Sequence, residues 1–189
     1  DPTQYNDGER QIPPIEIERK FAVRSLDNIP ESLPLEGQRK ITQAYLEITD
    51  EREMRVRKTE KDGQTSYECT VKTKIDDDTN GLARGEVTEI ITEEQFEEAL
   101  KKHIGNIIEK TRLVFPLGDN HLEIDVYKGE LKGLISAEIE FDSIEASEQF
   151  EVPGWLGQEV TNRKDFKNQQ LALNGIPQDY LEWIKYLEK

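Results

Sequence analysis

Glu16, Glu18 and Lys20 recur at every second position in the segment IEIERKF (15–21), directly after a Pro-Pro pair. On a strand these three side chains share one face, while Ile15, Ile17, Arg19 and Phe21 share the other. Paired carboxylates are the oxygen ligands that hard divalent cations take, and an ammonium beside them can anchor an anion. The same spacing of charge returns along the chain. MRVRK (54–58) aligns Arg55 with Arg57, and YECTVKTK (67–74) aligns Thr70, Lys72 and Lys74. ARGEVTEI (83–90) aligns Arg84, Glu86 and Thr88, and EKTRLVF (109–115) aligns Lys110 with Arg112. LEIDVYK (122–128) aligns Glu123, Asp125 and Tyr127, and SAEIEFD (136–142) aligns Glu138 with Glu140.

Alternation of this kind needs strands to carry it. The pattern predicts strands near 15–24, 40–49, 53–60, 65–74, 83–92, 108–116, 121–128 and 135–142. The Asp-Gly of EKDGQ (60–64) marks a tight hairpin, and DDDTNG (76–81) and LGDN (117–120) mark further turns. Helices are predicted over 92–104, 143–150, 164–175 and 178–189. The first opens on Thr92, read as the cap of a capping box closed by a glutamate, with Phe96, Leu100 and Ile104 as its apolar stripe. The fold class is therefore α+β, mainly β, with an antiparallel sheet that closes into a barrel or makes a sandwich.

A charged strand face ordinarily looks at water. Here, however, acidic pairs fall on the first, seventh and last predicted strands and basic pairs on the third, fourth and sixth. Helices outside the sheet would also need an apolar face to cover. If they do, the charged faces converge on a polar interior. Both arrangements are compatible with the pattern.

Bulk properties narrow the function. A chain of 189 residues suits one domain, with a tail over 1–14, a body over 15–177 and a docked final helix over 178–189. The formal net charge of −15 argues against a nucleic-acid or anionic-membrane surface. Two histidines and one cysteine leave little scope for a soft metal site or a disulfide, and a cytoplasmic setting is expected. His103 and His121 read as surface residues, Cys69 as a buried, inert thiol, and Trp155 and Trp183 as packing residues.

In this order the motifs resemble the CYTH domains, the triphosphate tunnel metalloenzymes. Glu16-x-Glu18-x-Lys20 matches the ExExK signature. It is followed by Gln43 and Tyr45 in TQAYL, Arg55-x-Arg57, Lys72, Arg84-x-Glu86, EKTR (109–112), EIDVY (123–127) and AEIEF (137–141). PGWLGQEVT (153–161) and FKNQQLA (166–172) resemble the carboxy-terminal signature of the short bacterial members. The resemblance implies a closed eight-stranded antiparallel barrel, open as a tunnel, with a charged interior and helices packed outside. It implies a small anionic triphosphate as substrate, most simply inorganic tripolyphosphate, hydrolysed with Mg²⁺ or Mn²⁺. Glu16, Glu18, Glu138 and Glu140 are the implied metal ligands. Lys20, Arg55, Arg57, Lys72, Arg84, Arg112 and Lys167 are the implied phosphate ligands, with Glu86, Asp125 and Lys110 as catalytic groups. Thr88 departs from the family pattern, which puts an acidic residue there, and leaves a second metal site in question. A cyclase forming cyclic AMP, a thiamine or nucleoside triphosphatase, and a non-catalytic polyphosphate-binding module are the alternatives. A homodimer is compatible with the resemblance.

Overall fold

A computed structural model describes residues 17–74 and 84–186, leaving aside the side chain of Arg84. All eight predicted strands are present, as β1 (Ile17–Ala22), β2 (Gly37–Ile48), β3 (Arg52–Lys61), β4 (Gln64–Lys74), β5 (Arg84–Ile90), β6 (Ile104–Leu117), β7 (Asn120–Lys128) and β8 (Ile135–Phe141). A two-residue strand, β9 (Gln158–Glu159), joins them. They form one antiparallel sheet in the order β5-β4-β3-β2-β6-β7-β8-β1-β9. The β3–β4 hairpin turns on Asp62 and Gly63, both at positive φ, as the Asp-Gly signal requires.

The expected closure into an eight-stranded barrel does not form; the sheet is open. Closure would set β1 beside β5, but the second edge of β1 is already occupied. Phe21 and Ala22 pair with Glu159 and Gln158, Val160 N donates to Lys20 O (2.8 Å), and Lys20 N donates to Thr161 Oγ1 (3.1 Å). Among the described residues β5 pairs with β4 alone. The open edge leaves its apolar side chains uncovered, with Val87 62% and Ile90 92% exposed.

The sheet's apolar face carries the core. Phe21, Leu122, Ile124, Ala137, Ile139 and Phe141 pack with Leu156, and Trp155 lies against this cluster. Ala44 and Val56 pack under Phe96 of α1 (Glu93–Leu100), whose ring lies 5.3 Å from that of Tyr67. The Thr92 capping box is present, but Gln95 closes it, since a glutamine and not a glutamate stands three residues on. The helix stops at Leu100, short of the predicted 104, and Ile104 already belongs to β6. Gly105, at φ 67, lies where a Cβ would run into the carbonyl of Ala172, so this glycine lets the helix bearing Ala172 pack on the strand.

The remaining helices are α2 (Ile144–Gln149), α3 (Asn168–Asn174), preceded by a 3-10 turn over Lys164–Phe166, and α4 (Gln178–Tyr186). Tyr180 fixes α4 to the sheet: its hydroxyl donates to Val23 O (2.8 Å) and accepts from Ile135 N (3.0 Å). No helix among the described residues is long and apolar enough to cross a membrane.

Gly157, at φ 110, sits where a Cβ would strike the Ala22 carbonyl, and it admits the chain to the β1 edge. Gly157→Ala is expected to cost about 2 kcal/mol from backbone strain, before counting the contact with Ala22. Urea denaturation measures it; an unchanged midpoint would show that β9 does not depend on this approach.

Candidate active site

With the apolar face packed under helices, the charged face is left to enclose space. It lines a cavity of about 1410 Å³ to which every strand from β1 to β8 contributes. An open sheet thus coils far enough for its two ends to face one another across this space. One wall carries Arg39 from β2, Arg55 and Arg57 from β3, and Lys72 from β4. The opposite wall carries Glu18 and Lys20 from β1 with Glu138 and Glu140 from β8. Register explains the acidic wall, because Glu18 lies directly opposite Glu140 and Lys20 directly opposite Glu138.

The cations differ in how they are held. Lys20 is buried, donates to the carbonyl of Phe166, and lies 3.6 Å from Glu138. Arg112 donates from Nε to Asp125 Oδ1 (2.8 Å) and from a terminal nitrogen to Asp125 Oδ2 (3.0 Å), and its other fork reaches Glu123 (3.0 Å). Lys110, its side chain 0% exposed, donates to Asp125 Oδ2 at 2.9 Å. Arg57 donates from Nε to Gln43 Oε1 (2.7 Å) and lies 4.0 Å from Glu68. Burial, reinforced by the charges of Arg55 and Arg112, pulls the Arg57 guanidinium down to about 10, so it remains charged at neutral pH. The Nε atoms of Arg39 and Arg55 are buried and meet no hydrogen-bond acceptor among the described residues. Arg39 also lies directly opposite Arg112 across the β2–β6 ladder. Like charges opposed across a ladder, with buried donors unsatisfied, are an arrangement that a bound polyanion relieves.

Asp125 does not line the cavity. It is sealed beneath it by Lys110 and Arg112. Burial works to raise its pKa, but the Lys110 charge and the Arg112 hydrogen bonds outweigh this and hold it well below the usual carboxylate range. A carboxylate so placed is a weak proton acceptor, which suits an anchor for the two cations better than the catalytic base expected from the sequence. Burial likewise pulls the Lys110 ammonium down to about 8, with the Asp125 charge opposing. Lys110 also lies outside the cavity lining and is placed to act through Asp125 and the field beneath Arg112.

Glu86 does line the cavity, opposite Lys72 in the β4–β5 register. Thr88, on the same strand, faces the cavity and shares a 3.0 Å hydrogen bond with Thr70. Lys167 lines the mouth, at the start of α3, where Tyr127 donates to Asn168 Oδ1 (2.6 Å). Glu16 and the side chain of Arg84 lie outside the described residues. Several lining residues were absent from the sequence-based set, Arg39 and Glu123 among them. Arg39 stands in a β2 stretch whose alternation is broken by the apolar Ile41, so no charge pair marked it. Glu123 shared its face with Asp125 but had no partner that sequence alone could supply.

The donors present are carboxylates, the oxygen chemistry that suits Mg²⁺ or Mn²⁺. Glu18, Glu138 and Glu140 line the same wall, although among the described residues no three His, Cys, Asp or Glu side chains already group as a metal site.

Asp125→Asn would strand Lys110 and Arg112 without their anchor, at an expected cost of about 3 kcal/mol. A depressed carboxylate stabilises the fold fully above its unfolded value, about pH 4, and that stabilisation is lost as pH falls through the lower folded value. Urea denaturation between pH 7 and pH 2 should therefore show a steeper acid loss for wild type than for Asp125→Asn. Parallel profiles would show that Asp125 is not held ionised by these partners.

No family model matches the sequence. The chain is 38% identical over 162 residues to an inorganic triphosphatase of Nitrosomonas europaea, covering 84% of this chain and 97% of that protein. A crystal structure of an inorganic triphosphatase aligns with a TM-score of 0.61 at 35% identity, covering 86% of this chain and 96% of that one. The fold also resembles that of a Hippeastrum protein assigned as an adenylyl cyclase and showing dominant triphosphatase activity, with a TM-score of 0.51 at 14% identity over 70% of this chain and 82% of that one. Identity at this level across nearly the whole of a relative, with the charged cavity in place, shows that the chain belongs to the inorganic triphosphatase family.

Proposed function

We propose that this chain hydrolyses inorganic tripolyphosphate to diphosphate and phosphate in the charged cavity, as a member of the CYTH, or triphosphate tunnel, group. The observation that carries the reading is the cavity wall of Arg39, Arg55, Arg57 and Lys72, with two buried guanidinium nitrogens lacking acceptors, facing Glu18, Glu138 and Glu140. A triphosphate brings several negative charges, and desolvating them needs fixed cations at close range. Tyr45 is the one Phe, Tyr or Trp side chain lining the cavity among the described residues, and it is buried. With so little aromatic surface, a purely phosphate substrate is favoured over a nucleoside or thiamine triphosphate, and hydrolysis over cyclisation of ATP.

In this reading Arg39, Arg55, Arg57, Lys72 and Arg112 bind and orient the phosphates, with Lys20 on the acidic wall and Lys167 at the mouth. Glu86 accepts a proton from the attacking water as the oxygen bonds to the terminal phosphorus and the bridging P–O bond to diphosphate breaks. Glu18, Glu138 and Glu140, with Glu16 two positions before Glu18 in the sequence, would hold Mg²⁺ or Mn²⁺. Such an ion supplies charge neutralisation of the phosphate oxygens.

Phosphate release from tripolyphosphate, ATP and thiamine triphosphate, with Mg²⁺ or Mn²⁺ and with EDTA, tests the proposal. Release from tripolyphosphate, lost in EDTA and restored by either metal, is expected. Cyclic AMP from ATP would overturn the hydrolase reading, and tight tripolyphosphate binding without release would favour a binding module. Arg57→Ala should raise KM for tripolyphosphate at least tenfold, the scale of one hydrogen bond to a charged group, and leave the urea midpoint near wild type.

A further inference from the structure

The β2–β3 ladder sets Gln43 directly opposite Arg57 and Tyr45 directly opposite Arg55, so four side chains form a two-by-two square on one sheet face. Residues opposed in a ladder point to the same side, and this side is that of the cavity. Within the square the hydrogen bonds run in one direction. Arg57 Nε donates to Gln43 Oε1 (2.7 Å), and Gln43 Nε2 donates to the Tyr45 hydroxyl oxygen (2.8 Å). Gln43 is 0% exposed, and Tyr45 is 1% exposed with its ring in the core cluster beside Ile108 and Tyr127.

This arrangement leaves one hydrogen without a destination. A phenol has one proton to donate and lone pairs to accept. The Tyr45 oxygen accepts from Gln43, and Arg55 lies directly opposite across the ladder. No acceptor for its own proton is present among the described residues, yet Tyr45 lines the cavity. Burial raises the hydroxyl to about 12, so it remains a donor throughout the neutral range. An unspent buried donor is costly, and persists where a ligand completes it.

We propose that the Tyr45 hydroxyl donates a hydrogen bond to a phosphate oxygen of the substrate, and that Gln43 is the positioning residue that aims this hydroxyl and the Arg57 fork at the same phosphoryl group. The amide does both tasks because its oxygen accepts from Arg57 while its nitrogen donates to Tyr45. With its Nε committed to Gln43, Arg57 presents its terminal nitrogens to the cavity as a planar pair, the geometry that grips a phosphate. Tyr45 adds a neutral donor among cations. It can follow the shift of charge on the phosphate oxygens without adding to the repulsion between Arg55 and Arg57.

The proposal rests on the triphosphatase reading, and the test separates the two. Tyr45→Phe removes one oxygen from a packed ring, and Gln43→Met keeps the side-chain length while removing both hydrogen bonds. Steady-state hydrolysis of tripolyphosphate, and calorimetric binding of the non-hydrolysable imidotriphosphate, are measured for each variant, for the double variant, and for Arg57→Ala. Tyr45→Phe is expected to weaken imidotriphosphate binding and raise KM about tenfold, with the urea midpoint unchanged. Gln43→Met should do at least as much, and the double variant should be no worse than Gln43→Met alone, because the two act as one unit. Multiplicative losses in the double variant would overturn the positioning role of Gln43. Binding within twofold of wild type for Tyr45→Phe, with Arg57→Ala still impaired, would overturn the donor role. Wild-type protein that neither binds imidotriphosphate nor releases phosphate would instead remove the underlying triphosphatase reading.

Discussion

Asp125, sealed between Lys110 and Arg112, is the interaction that allows a charged strand face to turn inward. Removing an ammonium and a guanidinium from water costs several kcal/mol each unless a partner is fixed nearby. The β6–β7 register supplies that partner directly, because Arg112 and Asp125 are opposed and Lys110 lies two residues away on the same face. With Arg112 anchored below, Arg57 lies in its field and still keeps its charge at neutral pH. The positive wall is then set in place before any ligand arrives, which is the preorganisation that binding a polyanion requires.

The second constraint is the choice of face. Phe96 of α1 covers Ala44 and Val56, and Leu156 with Trp155 covers the apolar side of β1, β7 and β8, whereas Leu171 of α3 and Tyr180 of α4 pack on Ala22, Tyr45, Ile108 and Tyr127 at one end of the polar face. With one face covered and one end of the other occupied, the remaining charged side chains are left around an enclosed space. The sheet coils to enclose that space without sealing it, because the segment after Gly157 takes the β1 edge that a barrel seam would use. An enclosing sheet and a closed barrel are thus different solutions to one packing problem, and this chain adopts the first.

Much of this was legible in the strand patterns. The eight strands, the Asp-Gly hairpin, the helix positions and the separation of acidic from basic faces all follow from local spacing, since side-chain direction alternates with a period of two whatever the strand later packs against. Glu138 and Glu140 could be placed with Glu18 and Lys20 for the same reason. Helix ends were less legible. The 92–104 pattern continues as a helix in sequence, but Ile104 is claimed by the β2–β6 ladder, where tertiary pairing outweighs propensity. Arg39 was hidden because Ile41 interrupts the alternation around it, and the buried surroundings of Asp125 were hidden because its partners stand 13 and 15 residues away.

The sequence by itself determined which side chains share a face and which signs of charge they carry, because strand geometry imposes both locally. It also carried the ordered motifs that mark the family. Only the tertiary structure decided which face is inside, whether the sheet closes, and which charged groups bind ligand and which serve as buried anchors. Those outcomes depend on edge competition between β9 and β5, on the helices covering one face, and on burial. Each of these is a property of elements distant in the chain brought together, and no local pattern encodes it.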